Sequence, residues 1–103
     1  MRRSDIDTIY SLHGITFVWN PKKARTNIAD HQVSFEQACE AFFDPFLMVE
    51  DASRNVEVRD ALIGEEALGR LLYVVHIHQE EDRYRIISAR KVTPKERRRY
   101  ESQ

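Results

Sequence analysis

The chain has 103 residues, of which 42% are hydrophobic and 32% are charged, and its formal net charge is −1. This length and composition predict one globular domain, and the lack of an apolar run of about 20 residues argues against a membrane-spanning helix. The only cysteine, Cys39, excludes an intramolecular disulfide. Because the polar N-terminus lacks the apolar stretch of a secretory signal, we expect a cytoplasmic protein without membrane attachment.

A strand that leads directly into a helix is the first predicted unit. The β-branched and aromatic run at residues 15–19 is typical of a strand. It ends at Asn20 and Pro21, where asparagine suits the N-cap of a helix and proline suits its first position. Residues 1–14 show no clear pattern.

A second helix is predicted to begin at Ser34. Gln37 follows three residues later and completes a capping-box pattern. Apolar residues then recur at helical spacing, and Cys39 falls on this apolar face, so we expect it to pack rather than to react. The helix is expected to end at Asp44, because Pro45 disfavours the helical conformation in the residue before it.

The second half of the chain is predicted to form a sheet and a final helix. The strand candidates are residues 46–50, 59–63, 70–78 and 83–91. Short polar connections at residues 64–69 and 79–82 predict antiparallel hairpins. Thr93, Pro94 and Glu96 predict a capped terminal helix. The order β-α-α-β-β-β-β-α indicates an α+β domain, with helices packed on one face of a twisted antiparallel sheet.

Charge is distributed unevenly along the chain. Residues 30–66 contain ten acids and two arginines, whereas residues 83–103 contain eight cations and two acids. The two segments therefore carry net charges of −8 and +6. Such asymmetry predicts an anionic partner for the basic end, and the alternative is a solvated basic helix without a ligand.

The last predicted strand combines apolar residues with cations. Regular alternation places Arg85 on one face of the sheet, and Ser88 with Arg90 on the other. An unpaired buried guanidinium is very costly, so these arginines must pair with acids or bind external anions. Glu57 and Asp60 are the candidate pairing acids.

Several separate segments, in order along residues 17–101, point to one family. They are Trp19-Asn20-Pro21-Lys22-Lys23, Asn27, His31, residues 33–38, Asp44-Pro45, Arg59, residues 63–64, 69–72, 85–90 and 96–100. In combination they resemble the BrnT family. The resemblance implies a bacterial type II toxin with a RelE-like ribonuclease fold, which inhibits translation by cleaving RNA. It also implies a toxin domain at residues 15–103, preceded by an extension at residues 1–14.

The resemblance also implies partners. It predicts neutralisation by a BrnA-like antitoxin with a ribbon-helix-helix domain, so that DNA is contacted only through the antitoxin. No cofactor is expected. The chain departs from the family pattern at Asn20, where aspartate is usual, and at Gln32, where glycine is usual. Asparagine caps a helix as well as aspartate does, but a left-handed conformation at Gln32 would be strained.

Metal-independent cleavage by the 2′-hydroxyl of RNA requires a base, an acid and cations that stabilise the charge on the phosphate. Arginine can hold phosphate oxygens in a bidentate manner, and Ser88 could orient the phosphate. The candidate catalytic residues are His31, Arg59, Arg85, Ser88, Arg90 and Tyr100, and the candidate RNA-binding residues are Lys23, Lys91 and Arg97.

Proton transfer has two candidates, each with a structural alternative. Histidine is the side chain best suited to move protons near neutral pH, which favours His31, although a residue at a helix end can equally serve packing. Tyr100 could act as an acid or stack on a base, and it follows Arg97 by three residues on the last helix, so the two should share a face.

Two other readings of the sequence compete with the ribonuclease. His76 and His78 lie on one strand face, as in some metal sites, and Glu80 or Asp82 could complete the set. Because no cysteine or third histidine is near, we expect an exposed strand end and no metal. The second alternative is a non-catalytic module of the same fold that binds nucleic acid or protein. Loss of Arg90 would then alter binding without abolishing any cleavage.

Overall fold

Residues 6–103 are described by a computed structural model and contain six strands and three helices. The first five residues of the predicted extension lie outside the described residues. The elements are β1 (Thr8–Leu12), β2 (Ile15–Trp19), α1 (Pro21–His31), α2 (Phe35–Ala41), β3 (Met48–Asp51), β4 (Asp60–Glu65), β5 (Leu71–Glu80), β6 (Arg83–Lys91) and α3 (Pro94–Glu101). The α+β class is confirmed.

The three helices begin at the residues that the sequence predicted. The Asn20 side chain accepts hydrogen bonds at the start of α1, and both capping boxes are formed. In each box the N-cap hydroxyl, from Ser34 or Thr93, accepts a hydrogen bond from the backbone N–H three residues later. The side chain of that later residue, Gln37 or Glu96, accepts one from the backbone N–H of the N-cap residue. These helix starts follow from local hydrogen bonding, which is why the sequence predicts them well.

Strand β1 is an element that the sequence did not indicate. Half-buried Thr8, Tyr10 and Leu12 alternate in β1 with exposed Ile9 and Ser11. The strand pairs antiparallel with β2 over its whole length. The element order is therefore β-β-α-α-β-β-β-β-α, so the predicted order lacked its first strand.

The sheet is mixed, with strand order β1-β2-β6-β5-β4-β3. Strand β2 runs parallel to β6, where Thr16 pairs with Arg83 and Val18 with Arg85, and the other pairs are antiparallel. The prediction of an antiparallel sheet is therefore wrong at this one pair. Two helices and three strands separate β2 from β6, and such a long connection allows the chain to return in the same direction.

The hydrophobic core lies between α2 and one face of the sheet. Phe35, Ala38 and Cys39 of α2 are fully buried there. Burial raises the pKa of the Cys39 thiol, as expected for a packing residue. Helix α2 approaches β4 closely at Gly64, where a Cβ atom would overlap the carbonyl oxygen of Ala41. Glycine at this position therefore sets the distance between α2 and the sheet.

Gln32, where glycine is usual in the family, has a left-handed conformation, with φ 56° and ψ 32°. We expect Gln32→Gly to raise the free energy of unfolding by about 0.5–1 kcal/mol, because glycine removes the Cβ strain of this conformation. Urea denaturation of both proteins measures the change. Ala29→Gly in the same helix is the control, and it should lower stability by about 1 kcal/mol. A loss of stability in both variants would contradict the strain at Gln32.

Candidate active site

A bulge in β6 determines which side chains reach the outer face of the sheet, opposite α2. Val75 of β5 pairs with Ser88 and His76 pairs with Ile86, so Ile87 has no partner in the register. Two consecutive residues, Ile87 and Ser88, then project on the same side, and both line cavities there.

The bulge corrects the predicted facing of β6. Ile86 and Ala89 are both buried in the core, although regular alternation would place them on opposite faces. Arg85 consequently shares the outer face with Ser88 and Arg90. The predicted separation of Arg85 from Arg90 is therefore wrong, because one extra residue reverses the facing of every side chain beyond it.

Two cavities meet at the bulge. The first, which we call the arginine cleft, has a volume of about 560 Å³ and includes Arg54, Arg59, Tyr73 and Arg90 in its lining. The second, which we call the helix cleft, has a volume of about 460 Å³, and its lining includes Lys22, Lys23, Asp30 and His31 of α1. Ile87 and Ser88 line both. Ile87 and Ser88 thus lie where the two clefts adjoin.

Arg90 is held in place from three directions. Its Nη1 and Nη2 donate to the two carboxylate oxygens of Glu96 at 2.8 and 2.9 Å, and Nη1 also donates to the carbonyl oxygen of Lys91 at 3.1 Å. The guanidinium carbon lies 4.2 Å from the centre of the Tyr73 ring. The pKa of Glu96 is lowered, chiefly by its hydrogen bonds from Arg90. Glu96 also caps α3, so the terminal helix and Arg90 position each other.

Arg90 retains the capacity to bind an anion. A guanidinium carries five N–H donors, and the contacts to Glu96 and Lys91 use three of them. The remaining two, on Nε and Nη2, have no partner within residues 6–103. They lie along one edge of the planar group, which is the geometry that binds two oxygens of a phosphate.

Arg59 is the second ordered cation of the arginine cleft. Its Nε and Nη2 donate to one oxygen of Glu57 at 3.0 and 2.6 Å. The Glu57 side chain is 53% exposed, so this pair is easily exchanged for another anion. The sequence had offered Glu57 as the partner of Arg85 or Arg90, and that pairing is wrong.

Arg85 lies further along β6 and lines neither cleft. Its Nη2 and Nη1 donate to the two oxygens of Asp7 at 2.5 and 3.3 Å. These hydrogen bonds lower the pKa of the Asp7 carboxyl. Asp7 directly precedes β1, for which the sequence showed no pattern, so the acid that neutralises Arg85 could not be identified in advance.

Asn27 is a site residue whose role the sequence did not reveal. It is buried within α1, and its Nδ2 donates to the carbonyl oxygens of Ala89 and Val33, both at 2.8 Å. Its Oδ1 accepts from the backbone N–H of Ala89 at 3.1 Å. The Asn27 amide thereby replaces a neighbouring strand where the pairing of β2 with β6 has ended. It fixes α1 beside the bulge, and the sequence signalled it only by its place in the family pattern and by an asparagine inside a helix.

The match to known proteins decides the family. Residues 19–96 match the family described as ribonuclease toxin, BrnT, of type II toxin-antitoxin systems. The chain belongs to the BrnT family. Family membership makes it a ribonuclease toxin of a type II toxin-antitoxin system, with RNA as its substrate and an antitoxin as its partner. No curated protein matches the chain.

The BrnT match begins at Trp19, the last residue of β2. It includes α1, the arginine cleft and the bulge, whereas β1 and the Asp7 carboxylate precede it. Within residues 6–103, no helix is long and apolar enough to cross a membrane.

Tyr100 lies apart from both clefts. Its hydroxyl donates to the Asp44 carboxylate at 2.6 Å, and Asp44 also accepts from the backbone of Phe46 and Glu65. Burial, followed by the bond to Asp44, raises the pKa of Tyr100 to about 12. These contacts attach α3 to the turn after α2. Arg97, which was expected to share a helix face with Tyr100, lines a separate cavity with Lys91 and Arg70 that does not include Tyr100.

His76 and His78 do not form a metal site in the described structure. His76 is 3% exposed and its ring centre lies 4.8 Å from that of Phe42, and burial lowers its pKa. His78 is exposed and stacks on Tyr84 with ring centres 4.5 Å apart. The expected exposed strand end is therefore found only at His78. Residues 6–103 contain no group of three or more histidine, cysteine, aspartate or glutamate side chains able to hold a metal ion.

Proposed function

We propose that this BrnT toxin is a metal-independent endoribonuclease that binds the scissile phosphate at Ser88. The observation that carries the proposal is the position of Ser88 between two groups of complementary chemistry. Arg59 and Arg90 lie on one side of it, and His31 and Lys23 lie on the other. Attack by a 2′-hydroxyl requires both groups around one phosphate.

His31 acts as the base in this mechanism. It removes the proton of the 2′-hydroxyl, the 2′-oxygen attacks the phosphorus, and the bond from phosphorus to the 5′-oxygen breaks. The leaving oxygen takes a proton from water, since Tyr100 donates to Asp44 and lines neither cleft. Arg59 and Arg90 stabilise the charge that develops on the phosphate oxygens. The products are a 2′,3′-cyclic phosphate and a free 5′-hydroxyl.

In this proposal the RNA that flanks the scissile phosphate is bound by Arg85, Lys91 and Arg97. Arg85 lies on the same face as Ser88, and Lys91 and Arg97 line a separate basic cavity of about 300 Å³. Contacts of this kind position a strand without choosing its sequence. Tyr100 contributes by holding α3, and through it Glu96 and Arg90, in place.

The biological setting completes the proposal. A BrnA-like antitoxin with a ribbon-helix-helix domain covers the arginine cleft, and DNA is contacted only through that antitoxin. The toxin acts in the cytoplasm and inhibits translation by cleaving RNA. Residues 15–103 form its RelE-like domain, and residues 1–14 are an extension. The family match and the unoccupied guanidinium edge of Arg90 support this reading.

Cleavage in excess EDTA tests the mechanism. We expect the wild-type protein to cleave a mixed-sequence RNA and to leave cyclic phosphate ends, because no step requires a metal. The Arg59→Ala/Arg90→Ala variant should lose about 10²-fold or more of the rate.

The matched control is Arg25→Ala/Arg98→Ala, which removes two exposed arginines that line neither cleft. It should retain most of the activity at the same net charge. Equal cleavage by both double variants would exclude the arginine cleft as the catalytic site, and wild-type cleavage only with added metal would exclude the mechanism.

A further inference from the structure

Helix α1 carries three charges in the reverse of the stabilising order, whereas the basic residue His31 in its last turn follows that order. Lys22 and Lys23 lie in its first turn, where the helix dipole is positive, and Asp30 lies in its last turn, where the dipole is negative. Each of these placements opposes the dipole and costs helix stability. All three residues line the helix cleft. Their common position indicates that these charges serve the cleft rather than the helix.

The Asp30 carboxylate has no assigned partner in the helix cleft. Within residues 6–103 its carboxylate takes part in none of the salt bridges. The carboxylate repels a phosphate and accepts hydrogen bonds, so in RNA it can take donors from a ribose 2′-hydroxyl or from N–H groups. A ligand with two N–H donors side by side, next to a phosphate, would match both of its oxygens. In RNA, those donors belong to the bases.

We propose that the helix cleft binds a guanine base and that Asp30 recognises its Watson–Crick edge. Guanine presents two parallel donors there, N1–H and the N2 amine, which match the two oxygens of a carboxylate. Adenine and cytosine present one amine beside an acceptor, and uracil presents one N–H between two carbonyl groups. The half-buried Ile87 side chain supplies an apolar surface for the face of the base.

The position of His31 identifies the nucleotide. His31 follows Asp30 directly and lines the same cleft. This step rests on the proposed function, in which His31 removes the proton of the attacking 2′-hydroxyl. The recognised base then belongs to the nucleotide that carries this hydroxyl, on the 5′ side of the scissile phosphate. The toxin therefore cleaves after guanosine and leaves guanosine 2′,3′-cyclic phosphate.

DNA oligonucleotides that contain a single ribonucleotide test this inference, since each has only one cleavable bond. We expect the site with guanosine to be cleaved on the order of tenfold or more faster than sites with adenosine, cytidine or uridine. Inosine lacks the N2 amine and should lose most of this advantage. With 7-deazaguanosine, which keeps both donors, the rate should be that of guanosine. Equal rates at all sites would overturn the proposal.

Asp30→Asn tests the residue itself. The variant should lose the preference for guanosine over inosine, so that the two sites are cleaved at equal rates. Glu81→Gln is the matched control, because it removes one exposed carboxylate outside the cleft and should keep the preference. A preference for guanosine that survives in Asp30→Asn would overturn the assignment.

Measurements of oligonucleotide binding distinguish a failure of guanine recognition from a failure of the proposed function. Should the wild-type protein cleave none of the sites, the proposed function fails. Fluorescence anisotropy with all-DNA oligonucleotides, which have no 2′-hydroxyl, then decides the recognition step. Tighter binding of deoxyguanosine than of deoxyinosine, lost in Asp30→Asn, supports guanine recognition. Equal binding of the two overturns it.

Discussion

Arg90→Lys is expected to lower the rate of RNA cleavage by about 10²-fold or more, although the net charge does not change. The reason is geometric, because lysine carries one ammonium group in place of a planar fork of donors. Arg90 lines the arginine cleft and donates to both oxygens of Glu96 and to the Lys91 carbonyl, while its remaining donors have no partner within residues 6–103. A lysine cannot hold both Glu96 and a phosphate in a bidentate manner.

The rate of single-turnover cleavage and the affinity for RNA are measured for the variant and for the wild-type protein. Affinity should fall less than the rate, since the positive charge remains. Arg85→Lys is the control, because Arg85 lines neither cleft and its carboxylate partner Asp7 is 38% exposed. We expect it to stay within several-fold of the wild-type rate. If the two variants lost activity equally, a specific requirement for the guanidinium of Arg90 would be excluded.

Asn27→Ala is expected to have the largest effect on stability, with a loss of about 2–5 kcal/mol in the free energy of unfolding. The substitution removes three hydrogen bonds and leaves the N–H and carbonyl of Ala89 and the carbonyl of Val33 without their partner. Each such group costs about 1–3 kcal/mol when it is buried and unsatisfied. Cleavage should fall as well, because Ala89 lies between Ser88 and Arg90.

Urea denaturation with Thr26→Ala as the control measures this effect. Thr26 precedes Asn27 on the exposed side of α1, and its hydroxyl donates only to the Lys22 carbonyl, at 3.1 Å. The control should change stability by less than about 0.5 kcal/mol. A similarly small change for Asn27→Ala would show that the contact between α1 and β6 does not depend on this amide.

Elements with local causes were predictable from the sequence. The N-cap at Asn20 and the two capping boxes depend on residues within a few positions of one another. The four strands from β3 to β6 follow from runs of apolar and β-branched residues between short polar connections. The candidate residues around Ser88 came from the family resemblance, and the structure brings five of them, His31, Arg59, Ser88, Arg90 and Lys23, into the two clefts.

The sequence by itself therefore determined the family and the α+β class, and it supplied the candidate residues for the proposed phosphate-binding site. The tertiary structure decided where those residues point. The parallel pairing of β2 with β6, the contact of Asp7 with Arg85 and the bulge at Ile87 all depend on how distant strands pair. One unpaired residue reverses the facing of a strand, and local periodicity cannot record such a shift because it arises only in the register with a neighbouring strand.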